Sequence, residues 1–409
     1  MSIVTLFSAS GCRSEEIVRM LTDKDSGPLK DYVLVDESEI LEATWQTHGI
    51  PVKKLIRSIY GKPSVFNAFT HEKECHAAYV RAAIAASLER DGILYEGFSA
   101  HLIPDTISHV LRVCLVADIG YRQSQMAQKE GSSEKEAAAA IQKHDNGLNE
   151  LTQYLFQKKP WDASIYDILI PTDKVSATEA VEIVARNVRK DVLKTTDRSA
   201  RAVGDFILAS RVNVALTEKG HDVLVSSING DVTITIDKYT MRLKKLEEDL
   251  RKIVSPMDGV RSVDTVTGPN FNNEIYHRYD FEFPAKVLVV DDEKDFALTL
   301  NKRLQMRDVG SAAVFSGEEA LSLVDEDIPD VMVLDLKMPG VDGMEVLRQV
   351  KKKHPRMEVI ILTGQGTEKD RQLAKELGVY AYFEKPVDIE KLTESLKEAY
   401  KKINEKVNE

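Results

Sequence analysis

The sequence predicts an α/β protein of three successive blocks, the last of them a doubly wound parallel sheet of five strands. Three observations carry this expectation. A chain of 409 residues is too long for one ordinary hydrophobic core, which points to several domains. Strand-like apolar runs alternate with amphipathic helical patterns in the first and last blocks, the order that packs helices on a sheet. In the last block the strands are apolar throughout instead of alternating, as strands covered by helices on both faces are.

The first block, 1–197, opens with a short apolar strand (IVTLF), a small polar turn (SASGC) and a helical pattern (SEEIVRML). Further on come a long amphipathic helix (HEKECHAAYVRAAIAASLERDG), a strand (VLRVCLVAD) and an alanine-rich helix (SEKEAAAAIQKH). It closes on a strand, YDILIPTD, and a helix whose SATE start has the spacing of a capping box. The middle block, 199–268, has a helix (FILASRVNVALTEKG) and two alternating strands (HDVLVSSI, DVTITID) joined at Asn229-Gly230, a hairpin-turn signal. A charged helix, TMRLKKLEEDLRKIV, and a third strand, VRSVDTVTG, complete it. Residues 269–284 have Asn and Pro without any period and read as a linker. The third block, 285–409, repeats strand, loop and helix five times, with strands KVLVV, SAAVF, DVMVL, EVIIL and AYFEK.

Charge and cysteine usage narrow the function. A net charge of −11 argues against a broad nucleic-acid surface, because phosphates would be repelled. Three widely spaced cysteines, Cys12, Cys75 and Cys114, suit reduced thiols better than a disulfide framework. No apolar run is long enough to cross a bilayer. The opening MSIVTLFSASGC lacks the basic residues of a secretion signal, so a cytoplasmic protein without membrane insertion is expected.

In an open α/β sheet the active site lies beyond the carboxyl ends of the strands. Those ends in the third block carry Asp291 and Asp292 on the first strand, Asp335 on the third, Thr363 on the fourth and Lys385-Pro386 on the fifth. Three carboxylates at one edge repel one another unless a cation is present, and an all-oxygen acidic pocket suits Mg²⁺. Aspartate is a competent nucleophile towards phosphorus, and a lysine and a hydroxyl can hold phosphoryl oxygens. Each feature alone has a plainer reading: an Asp pair can be a helix cap, Lys-Pro a turn, Tyr382 a packing residue. Five such residues at the right strand ends leave that reading little room.

This set resembles the receiver domain of response regulators, a flavodoxin-like fold, over the whole third block. LVVDDEKDF, LDLKMPGVDG, ILTGQGT and YFEKPVD carry the likeness. The resemblance implies that Asp335 accepts a phosphoryl group, that Asp292, Asp335 and the Lys337 carbonyl ligate Mg²⁺, and that Asp291 acts through a bound water. It further implies that Thr363 and Lys385 grip the phosphoryl group, that the Lys385-Pro386 bond is cis and that Tyr382 is an aromatic switch. A sensor histidine kinase is the implied phosphodonor, with an unknown downstream protein as receiver of the signal and a homodimer through this block as an open alternative.

The first block invites a phosphate-loop reading, since helix N-termini bind anions. Against G-x-x-x-x-G-K-[ST], however, FSASGCRS keeps only Ser14, with Phe7, Cys12 and Arg13 at the Gly, Gly and Lys positions. Over nearly its full length the block resembles the cytidylate-kinase-like family, a P-loop-kinase-like fold. The likeness runs through the SEEI loop, LVDESEI, VLRVCLVAD with Arg122, EGSSEKEAAAAIQKHD and YDILIPTD. That likeness implies a nucleotide near Ser10, Gly11, Arg13 and Ser14. Glu96 stands where the family has a basic residue, and NGLNEL follows Lys143-His144-Asp145 where an arginine is expected. Phosphoryl transfer needs cations around the phosphates, so a degenerate kinase fold is preferred to an active one. The middle block resembles the small α+β BON domain through ASRVNVAL, NGDVTITI and MDGVRSV, which implies a binding or coupling module. The expected function is a response regulator with its receiver last and its output upstream or in a partner; a phosphorylation-regulated nucleoside monophosphate kinase is the alternative.

Overall fold

The computed structural model describes residues 2–240, 242–271, 286–307, 309–364 and 366–405, so all but the first three residues of the expected linker lie outside the described residues. The chain divides into two compact units. The first comprises residues 1–62 and 73–275, the second residues 63–72 and 276–409.

The first unit begins β1 (Ile3–Ser8), α1 (Ser14–Thr22), β2 (Val33–Asp36), α2 (Glu37–His48) and α3 (Val52–Tyr60). Past a short helix of the second unit, α4 (Asn67–Thr70), it resumes with α5 (Glu72–Ser87), β3 (Ile93–Glu96), β4 (Val110–Val116), α6 (Ile119–Glu130), α7 (Glu134–Phe156), β5 (Ile168–Pro171) and α8 (Ala177–Val188). The five strands form a parallel sheet in the order β2-β3-β1-β4-β5. Alternate residues of β1 serve opposite cores: Ile3 and Phe7 pack with α2, α3, α5 and α7, whereas Val4 and Leu6 pack with α1 and α8. Period-two alternation of side chains thus gives one strand two buried faces. The expected capping box at Ser176 and Glu179 starts α8.

The middle stretch follows as α9 (Asp197–Thr217), β6 (Leu224–Ile228), β7 (Asp231–Ile236), α10 (Leu243–Val254) and β8 (Ser262–Thr267). The β6-β7 pair is antiparallel and β8 joins β7 in parallel. Asn229 and Gly230 make the turn with φ of 53° and 87°, the left-handed pair that a two-residue hairpin requires. Val203 and Phe206 of α9 join the core of the first block, which is why the two stretches form one body.

The second unit contains β9 (Val287–Val290), α11 (Lys294–Gln305), β10 (Ser311–Val314), α12 (Gly317–Glu326), β11 (Val331–Leu334), α13 (Gly343–Lys353), β12 (Glu358–Thr363), α14 (Glu368–Glu376), β13 (Ala381–Glu384) and α15 (Ile389–Glu405). Its parallel sheet runs β10-β9-β11-β12-β13. Leu288, Val290, Met332 and Leu334 face α12 and α13, and Val287, Val289, Val331 and Val333 face α11 and α15. All eight are at most 1% exposed, which accounts for the unbroken apolar runs in the sequence. The serial order of blocks is interrupted at one place: residues 63–72, flanked by first-unit sequence on both sides, fold with the second unit.

Candidate functional site

The order of the second sheet puts β9, β11, β12 and β13 side by side, so the residues following them meet at one edge. Asp335 N–H donates to the Val290 carbonyl at 2.9 Å, which ties the third strand's end to the first. Lys385 N–H donates to the Thr363 carbonyl at 3.0 Å and does the same for the last two. The Lys385-Pro386 bond is cis, as the resemblance implies. Tight backbone packing fixes the acceptor loop: a Cβ on Gly343 would lie 2.0 Å from the Asp335 carbonyl oxygen.

Lys385 is the electrostatic centre. Its Nζ lies 2.7 Å from Asp291 Oδ2, 2.8 Å from Asp335 Oδ2 and 3.2 Å from Glu293 Oε1. It also sits 4.5 Å from the centroid of the Phe296 ring. Burial would lower its pKa, but the hydrogen bonds and charges of Asp291 and Asp335 outweigh that and hold it above the ordinary lysine value. Burial pushes the Asp291 carboxyl up; Lys385 and the Glu293 N–H counteract this only in part. The other Asp335 oxygen, Oδ1, accepts from Lys337 N–H at 3.1 Å. Asp291, Asp292 and Asp335 can each offer a ligand atom within 4.8 Å of the others. These are hard oxygen donors beside a place for anionic oxygens, and their chemistry fits Mg²⁺ completed by water. Of the expected ligands, Lys337 has its side chain turned to Asp370, 3.5 Å away.

Thr363 ends β12 fully buried. The Tyr382 hydroxyl lies against Gly366. A Cβ added at Gly366 would fall 1.7 Å from Tyr382 Oη and 2.9 Å from Thr363 Cγ2. Arg371 covers the tyrosine ring at 5.3 Å. Glu293 joins the site without a motif of its own; its sequence signal is a third acid directly after the Asp pair.

Ser10, Gly11, Arg13 and Ser14 line a cavity of about 590 Å³ in the first unit. Gly11 has φ 85°, and a Cβ there would lie 2.4 Å from the Arg122 carbonyl, so only glycine suits this turn. Three cations here, two of them (Arg13 and Arg122) expected to meet phosphate, are paired with carboxylates. Arg13 pairs with Glu16 at 2.6 Å and Lys129 with Glu15 at 2.5 Å. Arg122 makes a bidentate pair with Asp145 at 2.9 and 2.7 Å and donates to the Ser10 carbonyl at 2.8 Å. Ser10 Oγ is 3.0 Å from His144 Nδ1, and Lys143 is exposed. Glu96, on the cavity wall, has its carboxyl raised by burial, partly offset by Ser14. Glu37 also lines it, accepting from Ser99 N–H at 3.1 Å and from the Tyr60 hydroxyl.

Comparison with known proteins divides along the same lines. The response regulator receiver domain model matches residues 287–397, and the model of the cytidylate kinase-like family matches residues 3–174. Among solved structures, a response regulator receiver domain protein from Clostridium thermocellum is 33% identical, covering 30% of this chain and 98% of its own, with a TM-score of 0.29. The Francisella response regulator 1452 receiver domain is 31% identical over 29% of this chain and 97% of its own, TM-score 0.28. The receiver domain of NtrX from Brucella abortus is 28% identical over 28% of this chain and 98% of its own, TM-score 0.27.

Proposed function

We propose that this chain is a response regulator that accepts a phosphoryl group on Asp335 from a sensor histidine kinase. The receiver match at 287–397 supports a response regulator role in two-component signalling. The observation that carries the finer reading is the convergence of Asp291, Asp335 and Lys385 within hydrogen-bond distance at one sheet edge. In the proposed step an Asp335 carboxylate oxygen attacks phosphorus. A new P–O bond forms as the bond to the donor nitrogen breaks, and that electron pair leaves with the donor. Lys385, 2.8 Å from Asp335 Oδ2, follows a phosphoryl oxygen, and the Thr363 hydroxyl takes another. Mg²⁺, held by Asp292, Asp335 and the Lys337 carbonyl with Asp291 acting through a bound water, would neutralise charge on the equatorial oxygens. With Thr363 drawn towards the phosphoryl group, Tyr382 loses its present support and repacks, a local charge event that biases a two-state surface.

Incubation with a small acyl phosphate and Mg²⁺ tests this. One equivalent of acid-stable, hydroxylamine-labile label is expected in the native chain and none in Asp335→Asn; label surviving the substitution would overturn the assignment.

A second reading, a nucleoside monophosphate kinase under receiver control, is favoured by the 590 Å³ cavity around Ser10, Gly11, Arg13 and Ser14. The carboxylate partners of Arg13, Arg122 and Lys129 argue against it, because a bound triphosphate would have to displace them. We therefore read the first unit as a sensing or contact module, with its α9–β8 portion as a BON-like coupling element. Calorimetric titration with ATP, CMP and CDP in Mg²⁺ decides: micromolar binding with ATP-to-CMP transfer restores the kinase reading.

A further inference from the structure

The segment from Pro63 to Glu72 lies in the middle of the first unit's sequence but is built into the second unit. Its base is closed: Lys73 Nζ donates to the Gly61 carbonyl at 3.0 Å, so the chain leaves and re-enters the first unit at one point. Its interior is a compact turn. Phe69 and Thr70 N–H donate to the Phe66 carbonyl, His71 N–H donates to Asn67, and Phe66 N–H is held by Ser64 Oγ at 3.0 Å.

Phe66 is fully buried, in the cluster that contains Leu288, Val324, Met332 and Met357. Its neighbour Val65 is 57% exposed, so one side chain of the turn is an anchor and the next faces water. Polar contacts fix the two ends. Ser64 Oγ donates to Asp327 Oδ2. Lys286 Nζ bridges Glu72 at 2.7 Å and Asp327 at 2.8 Å, with all three side chains under 15% exposed. The Lys286 backbone is pinned independently, its N–H donating to Asp330 Oδ2 at 3.1 Å and its carbonyl accepting from Asp330 N–H. The seat thus contains a Lys286–Asp327 pair drawn from the later sequence, and the segment adds an aromatic anchor and an acidic end to it.

We propose that residues 63–72 are a built-in ligand of the receiver, and that the ends of β9 and α12 with the apolar layer beneath them form a docking groove for an aromatic-anchored, acid-ended peptide segment of the same chain. The inference stands apart from phosphoryl acceptance, since it uses none of the residues at the Asp335 edge. It also means that a receiver cut to residues 287–397 would expose the place Phe66 fills.

Hydrogen exchange on the full chain tests it. In the native protein the amides of Phe69, Thr70 and His71 should be protected. Phe66→Ala should speed their exchange tenfold or more while β1 and β4 amides stay unchanged. Should that variant fold poorly, Glu72→Gln and Ser64→Ala should give smaller increases confined to the segment. A separate variant, Val333→Ala, loosens the second unit from its opposite core, and the segment's protection should then fall in step with β11. Protection that instead follows β1 and β4 would overturn the proposal. So would protection that rises with protein concentration, which would assign the groove to the segment of a second copy.

Discussion

Replacing Lys385 by Met keeps most of the side-chain volume and removes the ammonium between Asp291 and Asp335. Both carboxyls are nearly inaccessible, at 2% and 5% exposure, and each loses a contact below 3 Å. Breaking a buried pair by removing one partner costs about 3–5 kcal/mol, because the remaining charge is left uncompensated. Glu293, the third contact, is exposed and contributes little. A loss of about 3 kcal/mol corresponds to roughly 10 °C in the melting of a domain this size. The pH dependence identifies the cause. Asp291 is already raised from its ordinary value by burial, and removing Lys385 takes away its chief opposing contact. A carboxyl raised in the folded state stabilises that state while protonated and loses the contribution as pH rises through the folded value. The deficit of Lys385→Met should thus be large at pH 8, shrink toward pH 5, and shrink again when millimolar Mg²⁺ supplies positive charge. Scanning calorimetry of the full chain, with exchange in β11 to assign the transition, measures it. A deficit equal at both pH values and indifferent to Mg²⁺ would refute the reasoning and leave packing over the Phe296 ring as the role of this lysine.

Two further outcomes are expected. Gly366→Ala collides with Tyr382 Oη and should cost about 1–3 kcal/mol as an overpacked site; in the background of Tyr382→Phe most of that cost should vanish in a urea double-mutant cycle, whereas additive losses would mean the two do not meet. Arg122→Met strands Asp145 and the Ser10 carbonyl and should lower the first unit's stability by about 3 kcal/mol, with the second unit's calorimetric transition unmoved.

The acidic edge of the second unit was legible because four of the five apolar runs of the third block stop at a residue with reactive side-chain chemistry: Asp291, Asp335, Thr363, Lys385. Strand period and strand-end rule together convert a linear list into a site. The first unit yielded less. The strand Ile93–Glu96 leaves little trace in the sequence, being four residues long between turn signals. The neutralisation of the cavity's cations was half visible in Glu96 and hidden otherwise, since Arg122 finds Asp145 only through the packing of α6 on α7. Nothing local marks Phe66 as a core residue of another unit: PSVFNAFT has loop composition, and its partners lie in the last third of the chain.

That interleaving has a consequence for synthesis. Ser64 and its partner Asp327 are separated by 263 residues, and ribosomes add about 5–20 residues per second. The Phe66 turn therefore leaves the ribosome roughly 15–50 s before its seat exists, carrying an exposed aromatic on a loop whose flanking helices can already fold. The first unit must tolerate an unfinished loop for that interval, and a chain that stops short of the receiver keeps it permanently, marked by an accessible phenylalanine that quality-control proteases and chaperones can read.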